Sequence, residues 1–244
     1  MRYFFRVEYD GTRYGGWQCQ TNAPSVQAAL NTAFATIVRQ PCMIVGAGRT
    51  DAGVHARAQG AHVDIDGPLD VYKCELSVNA VLPRDISIYR LQPVNPDFHA
   101  RYSAVRRRYR YYMTDRKRPL LYKKVWMLFH KVDWNAVRGA LPPLLGKHDF
   151  GAFCASGSSA KTMTCTILRA ELSNTPECRV FEIEADRFLY KMVRTIVGTL
   201  IDIGREKITL PLQEIIAKGD RKLAGETAPA CGLVLDNVVY EGID

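Results

Sequence analysis

The spacing of apolar residues switches from two to between three and four and back, and it does so twice along the chain. Tyr3 to Tyr9 alternates as a strand does, one side chain to each face. In SVQAALNTAFATIVR (25–39), Val26, Leu30, Ala33, Phe34 and Ile37 recur at helical spacing, and Ser25 after Pro24 can cap the start. Met43 to Val45 reads as a short strand, 58–66 as a strand, 70–82 as a helix and Ile86 to Leu91 as a strand. The second half repeats the scheme loosely. Strands are expected at 104–114, Thr162 to Leu172, Arg179 to Glu184 and Gly232 to Tyr240. Helices are expected at Asp133 to Leu145, Leu189 to Ile203 and Pro211 to Lys218. This order implies an α+β chain of two RRM-like, or ferredoxin-like, halves, each an antiparallel sheet with helices on one side. The expected halves are 1–100 and 101–244, with an active-site cleft between them.

Composition narrows the classes. With 47% apolar residues in 244, the chain can bury a core. Charges interrupt every apolar run before membrane-spanning length. MRYFFRVEYD has no signal-peptide core, so a cytoplasmic protein is expected. Seven cysteines are scattered without a Cys-x-x-Cys, and five histidines without a His-x-x-x-His. No disulfide framework, metal site or cofactor is expected. Net charge is +8, and residues 101–118, RYSAVRRRYRYYMTDRKR, hold eight Arg or Lys and four Tyr. Such a tract supplies cations for phosphates and rings for bases; the plainer reading is a solvated basic strand.

Two features ask for an explanation together. GAGRTDAGVHA (46–56) sets Asp51 two residues after Arg49, among glycines. It is either a turn or a loop shaped so that something large can reach one carboxylate. In the helix from Leu189, the stripe is Leu189, Met192, Val193, Ile196, Leu200 and Ile203, and Arg194 lies beside it. A buried guanidinium there needs an anion, for which Asp51 is a candidate; the alternative is a packed stem with its head in water.

These residues resemble the bacterial tRNA pseudouridine synthase A family. GRTDAGVHA (48–56) is similar to its signature, and YDGTRYGGWQCQ (9–20), SVQAAL (25–30), NAVLPRDI (79–86), FHARYSA (98–104), RRYRYY (107–112), FLYKMVRTIVGTL (188–200) and APACGLVLDNVVY (228–240) follow in the family's order. The chain departs from the pattern at Ala58-Gln59-Gly60, where a glycine usually precedes the glutamine and an apolar residue follows it. It departs again at Asp186-Arg187 before Phe188.

The resemblance implies the pseudouridine synthase fold and an isomerase that converts uridine to pseudouridine in tRNA at positions 38 to 40 of the anticodon stem-loop, without a cofactor. It implies that Asp51 is the catalytic aspartate, adding to ribose C1′, adding to uracil C6, or assisting proton removal at C2′. It further implies that Tyr109 stacks on the target uracil and that Arg194 favours the charged form of Asp51. Arg49 would serve the carboxylate, hold phosphate or fill the space left by the flipped base. A homodimer is implied as well. Two alternatives stand beside it. A non-catalytic RNA-binding protein with two RRM-like halves would explain charge and tyrosines but not GRTDAGVHA. An aspartate-nucleophile hydrolase or phosphotransferase would need magnesium held by further acids, and none cluster around Asp51 in the sequence.

Overall fold

The computed structural model describes residues 1–158 and 160–243. Among them the order is β1 (Arg2–Tyr9), α1 (Val26–Val38), β2 (Val45–Gly46), β3 (His55–Asp64), α2 (Val71–Val81), β4 (Ile86–Val94), β5 (Ala104–Thr114), β6 (Trp126–Met127), α3 (Trp134–Gly139), β7 (Gly146–Asp149), β8 (Thr164–Asn174), β9 (Arg179–Ala185), α4 (Met192–Gly204), α5 (Leu212–Lys218) and β10 (Leu233–Tyr240). The fold is α+β, as the periodicities require. It divides into two compact units, Met1–Val105 with Val234–Asp244, and Arg106–Leu233.

In the first unit the strands lie β4-β1-β3, with β2 and β10 both on β3. β1 runs antiparallel to β3 and β4, whereas β10 runs parallel to β3. Helix α1 starts where Ser25 Oγ accepts from Ala28 N (3.3 Å), and α2 where Asp70 Oδ1 accepts from Lys73 N (3.1 Å). β1 is buried on both faces. Phe5 meets Phe34 of α1, with ring centroids 4.9 Å apart. Phe4 meets Tyr240 and Phe98 edge to face at 5.2 and 5.5 Å. Arg6 is buried too: it donates to Val238 O and lies over the Phe4 and Tyr240 rings at 5.2 and 5.4 Å.

The division near residue 100 placed 234–244 with the second half, yet this segment packs in the first unit. Val234 and Leu235 pair with His55 and Ala56, and Tyr240 Oη donates to Ala100 O (2.7 Å). The same pairing starts β3 at His55, three residues before the expected strand.

In the second unit the strands lie β5-β9-β8-β7, antiparallel, with β6 parallel to the end of β5. α4 is buried along most of its length. It begins at Met192, not Leu189, because Lys191 sits at φ 57° and breaks the helical run. The expected helix 133–145 is shorter as well. α3 ends at Gly139, and Pro142–Leu144 form a separate 3-10 turn. The proline pair supplies no N–H to continue the ladder. β7, GKHD, was not expected, since its residues carry no apolar alternation.

Two measurements test this packing. A Cβ on Gly60 would meet the Tyr240 ring at 2.8 Å and overlap its hydroxyl. Gly60→Ala should therefore lower stability by roughly 1–3 kcal/mol in denaturant titration, and Tyr240→Phe should relieve part of that loss. His62 is buried, its Nδ1 accepting from Ala100 N (3.1 Å). Burial first, then the charges of Arg2 and His99, push its imidazole down to about 4, with Asp64 opposing. Between pH 6.5 and 4 the unfolded chain binds a proton that the folded chain refuses, so stability falls as pH falls through this window. From pH 7 to pH 4, His62→Gln should lose about 3 kcal/mol less than wild type. Equal losses would show that His62 takes no part.

Candidate active site

The loop that carries Asp51 belongs to the first unit and is tied down along its length. It leaves the edge of β3 at Ala47, whose N–H donates to Gly60 O (2.8 Å). The next carbonyl, of Gly48, accepts from the Gln59 side-chain Nε2 (2.7 Å). Thr50 is buried. Its Oγ1 shares a hydrogen bond with Tyr9 Oη (2.7 Å), and its carbonyl accepts from Trp17 N (3.1 Å). Asp51 bridges Gly16 through backbone, and Val54 N closes a turn on Asp51 O (3.1 Å). Beyond the loop, His55 Nδ1 lies 3.1 Å from Gly11 N and 3.0 Å from Asp10 Oδ1. The loop is thus fastened both to β3 and to the segment after β1.

Side chains along it differ in exposure. Arg49 is exposed, Thr50 buried, Asp51 half-buried and Ala52 exposed. Thr50 is anchored inward, and Arg49 before it and Asp51 after it are both more exposed than it is. The loop thus sets a half-buried carboxylate two residues from an exposed guanidinium on a backbone held by hydrogen bonds.

The glycines in and beside this loop serve different ends. Gly46 is filled by the protein itself, since a Cβ there would lie 2.6 Å from the Trp17 ring. Gly16 (φ 112°) lets the neighbouring strand approach so closely that a Cβ would meet Thr50 O at 2.5 Å. At Gly48 a Cβ would have nothing within 4 Å, so that position alone of these three opens outward.

The other two predicted residues belong to the second unit. Tyr109 lies on β5 opposite Ile183, half-buried, its ring edge-on to Phe188 at 5.2 Å. Strand alternation gives it the same face as Arg107, which donates to Asp186 O (2.8 Å). Arg194 lies on α4, half-buried. Its Nε donates to Ala228 O (2.8 Å), while Ala228 N donates back to Arg194 O (3.1 Å). One nitrogen of the head is thus held by a carbonyl within its own unit. Its charge is felt nearby. Burial raises the Tyr111 phenol and the Cys231 thiol, and Arg194 opposes both shifts.

The basic tract divides by strand face. Arg110 Nε donates to Glu182 (2.7 Å), and Arg106 and Arg108 lie 3.4 and 3.9 Å from Glu184. Arg169 of β8 joins Glu182 from the far side at 3.0 Å. One face of β5 is thus a ladder of ion pairs, partly exposed and individually weak. The charge count of the sequence overstates what the tract offers a polyanion. Asp186, one departure from the family pattern, holds the turn after β9: its Oδ1 accepts from Thr166 N (2.8 Å) and Arg187 N (2.7 Å).

Sequence reading missed Tyr9 and Gln59 as parts of this site. A glutamine inside HARAQGAHVD, otherwise small or apolar around it, was the available signal. Among the described residues no group of three or more His, Cys, Asp or Glu is placed to hold a metal ion, and no helix is long and apolar enough to cross a membrane.

Comparison with known proteins identifies a family. The tRNA pseudouridine synthase family profile matches residues 6–103 and 140–241. The tRNA pseudouridine synthase A of Porphyromonas gingivalis is 45% identical over 245 residues, covering 98% of this chain and 97% of the relative. That of Bacteroides fragilis is 43% identical over 243 residues (98% and 96%), and that of Acetivibrio thermocellus 43% over 237 (96% and 97%). The chain belongs to the tRNA pseudouridine synthase family, isomerases that turn uridine into pseudouridine within tRNA.

Proposed function

We propose that this enzyme modifies uridines at positions 38 to 40 of the anticodon stem-loop, with Asp51 as its catalytic carboxylate and the target base flipped out of its stack. The reaction breaks the C1′–N1 bond, turns the uracil and forms a C1′–C5 bond. The proton on C5 leaves and N1 gains one, so nothing is oxidised and no group is imported. The protein must supply one group that engages the nucleotide, positive charge near it, and a means of holding the detached base. The observation that carries the reading is the Asp51 loop, where a half-buried carboxylate and an exposed Arg49 project from a backbone tied at residues 47, 48, 50 and 51. A fixed carboxylate saves the entropy of finding the reactive geometry at each turnover.

In this reading Tyr109 stacks on the uracil with the ring face that Phe188, edge-on, helps to orient. Arg194, steadied by Ala228 O, supplies charge to the reacting group. Arg49, long and exposed, enters the stack that the flipped base leaves or holds an adjacent phosphate. The relatives' printed names carry the tRNA substrate. Action as a cytoplasmic homodimer completes the proposal.

Asp51→Asn should lower single-turnover pseudouridine formation by at least about a thousandfold while changing tRNA affinity less than about threefold. Carbodiimide adducts read by primer extension measure the first, and filter binding the second. Retained turnover would remove Asp51 from the chemistry, and stops away from positions 38 to 40 would refute the target. Tyr109→Ala should weaken the productive complex by roughly 1–3 kcal/mol, the worth of one base stacked on an aromatic ring, while Tyr109→Phe keeps the stack. A Phe variant as impaired as the Ala variant would assign the effect to the hydroxyl instead.

A further inference from the structure

We infer that Gln59 and Tyr9 are positioning residues for the reaction, two side-chain clamps that set the backbone on either side of Arg49 and thereby aim Arg49 and Asp51. The inference rests on Asp51 being the catalytic carboxylate.

The ladder between the loop and β3 runs out at Ala47, whose N–H reaches Gly60 O. Gln59 extends it by one bond, its Nε2 donating to Gly48 O at 2.7 Å. Two residues on, Tyr9 Oη holds Thr50 Oγ1 at 2.7 Å. Positions 48 and 50 are thus gripped by side chains from β3 and β1, two strands that pair with one another. Arg49 lies between the grips and Asp51 follows directly.

Gln59 is a poor choice for stability alone. It is 0% exposed, and its Oε1 has no hydrogen-bond partner. A buried acceptor without a donor is a cost that an apolar side chain of similar size would avoid. What the amide provides, and leucine cannot, is the donor to Gly48 O. The loop's geometry, not the core's packing, explains a glutamine in this place.

The test measures kcat, tRNA Kd and melting temperature for Gln59→Leu, Gln59→Glu and Tyr9→Phe, with Asp51→Asn as reference. Gln59→Leu should lower kcat about ten- to a hundredfold, as small misplacements of a reacting group do, with Kd unchanged within about twofold and folding retained at the assay temperature. Gln59→Glu should be equally slow at pH 8 and regain activity relative to Gln59→Leu toward pH 6. There the buried carboxyl, its pKa raised by desolvation, takes up a proton and can again donate to Gly48 O. Tyr9→Phe should lower kcat severalfold with Kd unchanged. A Gln59→Leu enzyme within threefold of wild type would overturn the inference. So would a fall in kcat that merely tracks loss of folded protein, or a Gln59→Glu enzyme that never departs from Gln59→Leu with pH. An active Asp51→Asn enzyme would instead strike at the reading beneath it.

Discussion

β3 is the strand on which the first unit depends. From Val54 to Val63 every residue but Arg57 is buried, with β1 antiparallel on one side and β10 parallel along its opening residues. A strand closed in on both faces favours apolar or small side chains and polar ones that find partners. Ala56, Ala58, Gly60 and Ala61 are small, and Gly60 lets the Tyr240 ring lie directly against the backbone. His62 meets its burial by staying neutral and accepting from Ala100 N. The register of this strand also decides the reactive loop. A slip of one residue against β1 would turn every side chain to the opposite face, carrying Gln59 away from Gly48 and separating Thr50 from Tyr9. Strand pairing and site geometry are therefore a single constraint.

The sequence shows this architecture wherever one periodicity decides. The alternation of β1, the stripe of α1 with its Ser25 cap, and the apolar face of α4 are local signals, and local signals survive folding. It falls short where a distant partner decides. β3 opens at His55 because Val234 pairs there, and nothing near residue 55 announces that. α4 opens at Met192 because Lys191 adopts a left-handed conformation, although LYKM reads on as helix. The proline pair after α3 is visible and outweighs the apolar pattern around it, since a missing N–H cannot be replaced by hydrophobicity.

Site residues follow the same rule. Asp51 and Arg49 stand out because a Gly-rich loop with charges is unusual in itself, and family resemblance singles out Tyr109 and Arg194. The charge of 101–118 is legible as a total but not as a disposition. Strand alternation sends Arg106, Arg108 and Arg110 to one face, where Glu182 and Glu184 of β9 meet them. Those glutamates lie more than seventy residues downstream, so neutralisation becomes visible only when the strands are paired. The face shared by Arg107 and Tyr109 is what remains distinctive, an aromatic ring between a positioned guanidinium and the buried Tyr111.

An isomerisation that detaches a base and returns it to the same carbon places an unusual demand on a protein. No imported group drives it, so catalysis must come from holding the nucleotide and the protein groups around it still while the base turns. A mobile loop would meet that demand only by ordering itself at each turnover, at a backbone cost of about 1–2 kcal/mol per residue. Here the ordering is done during folding, by hydrogen bonds to residues 47, 48 and 50 and the bridge at 51. The unpartnered Gln59 Oε1 is the counterpart, a stability cost of roughly 1–3 kcal/mol accepted inside a buried strand. That exchange is sensible only if the position of the Gly48 carbonyl matters more to the protein than the last increment of its stability. One unsatisfied acceptor in the core thus accompanies a backbone fixed at Gly48.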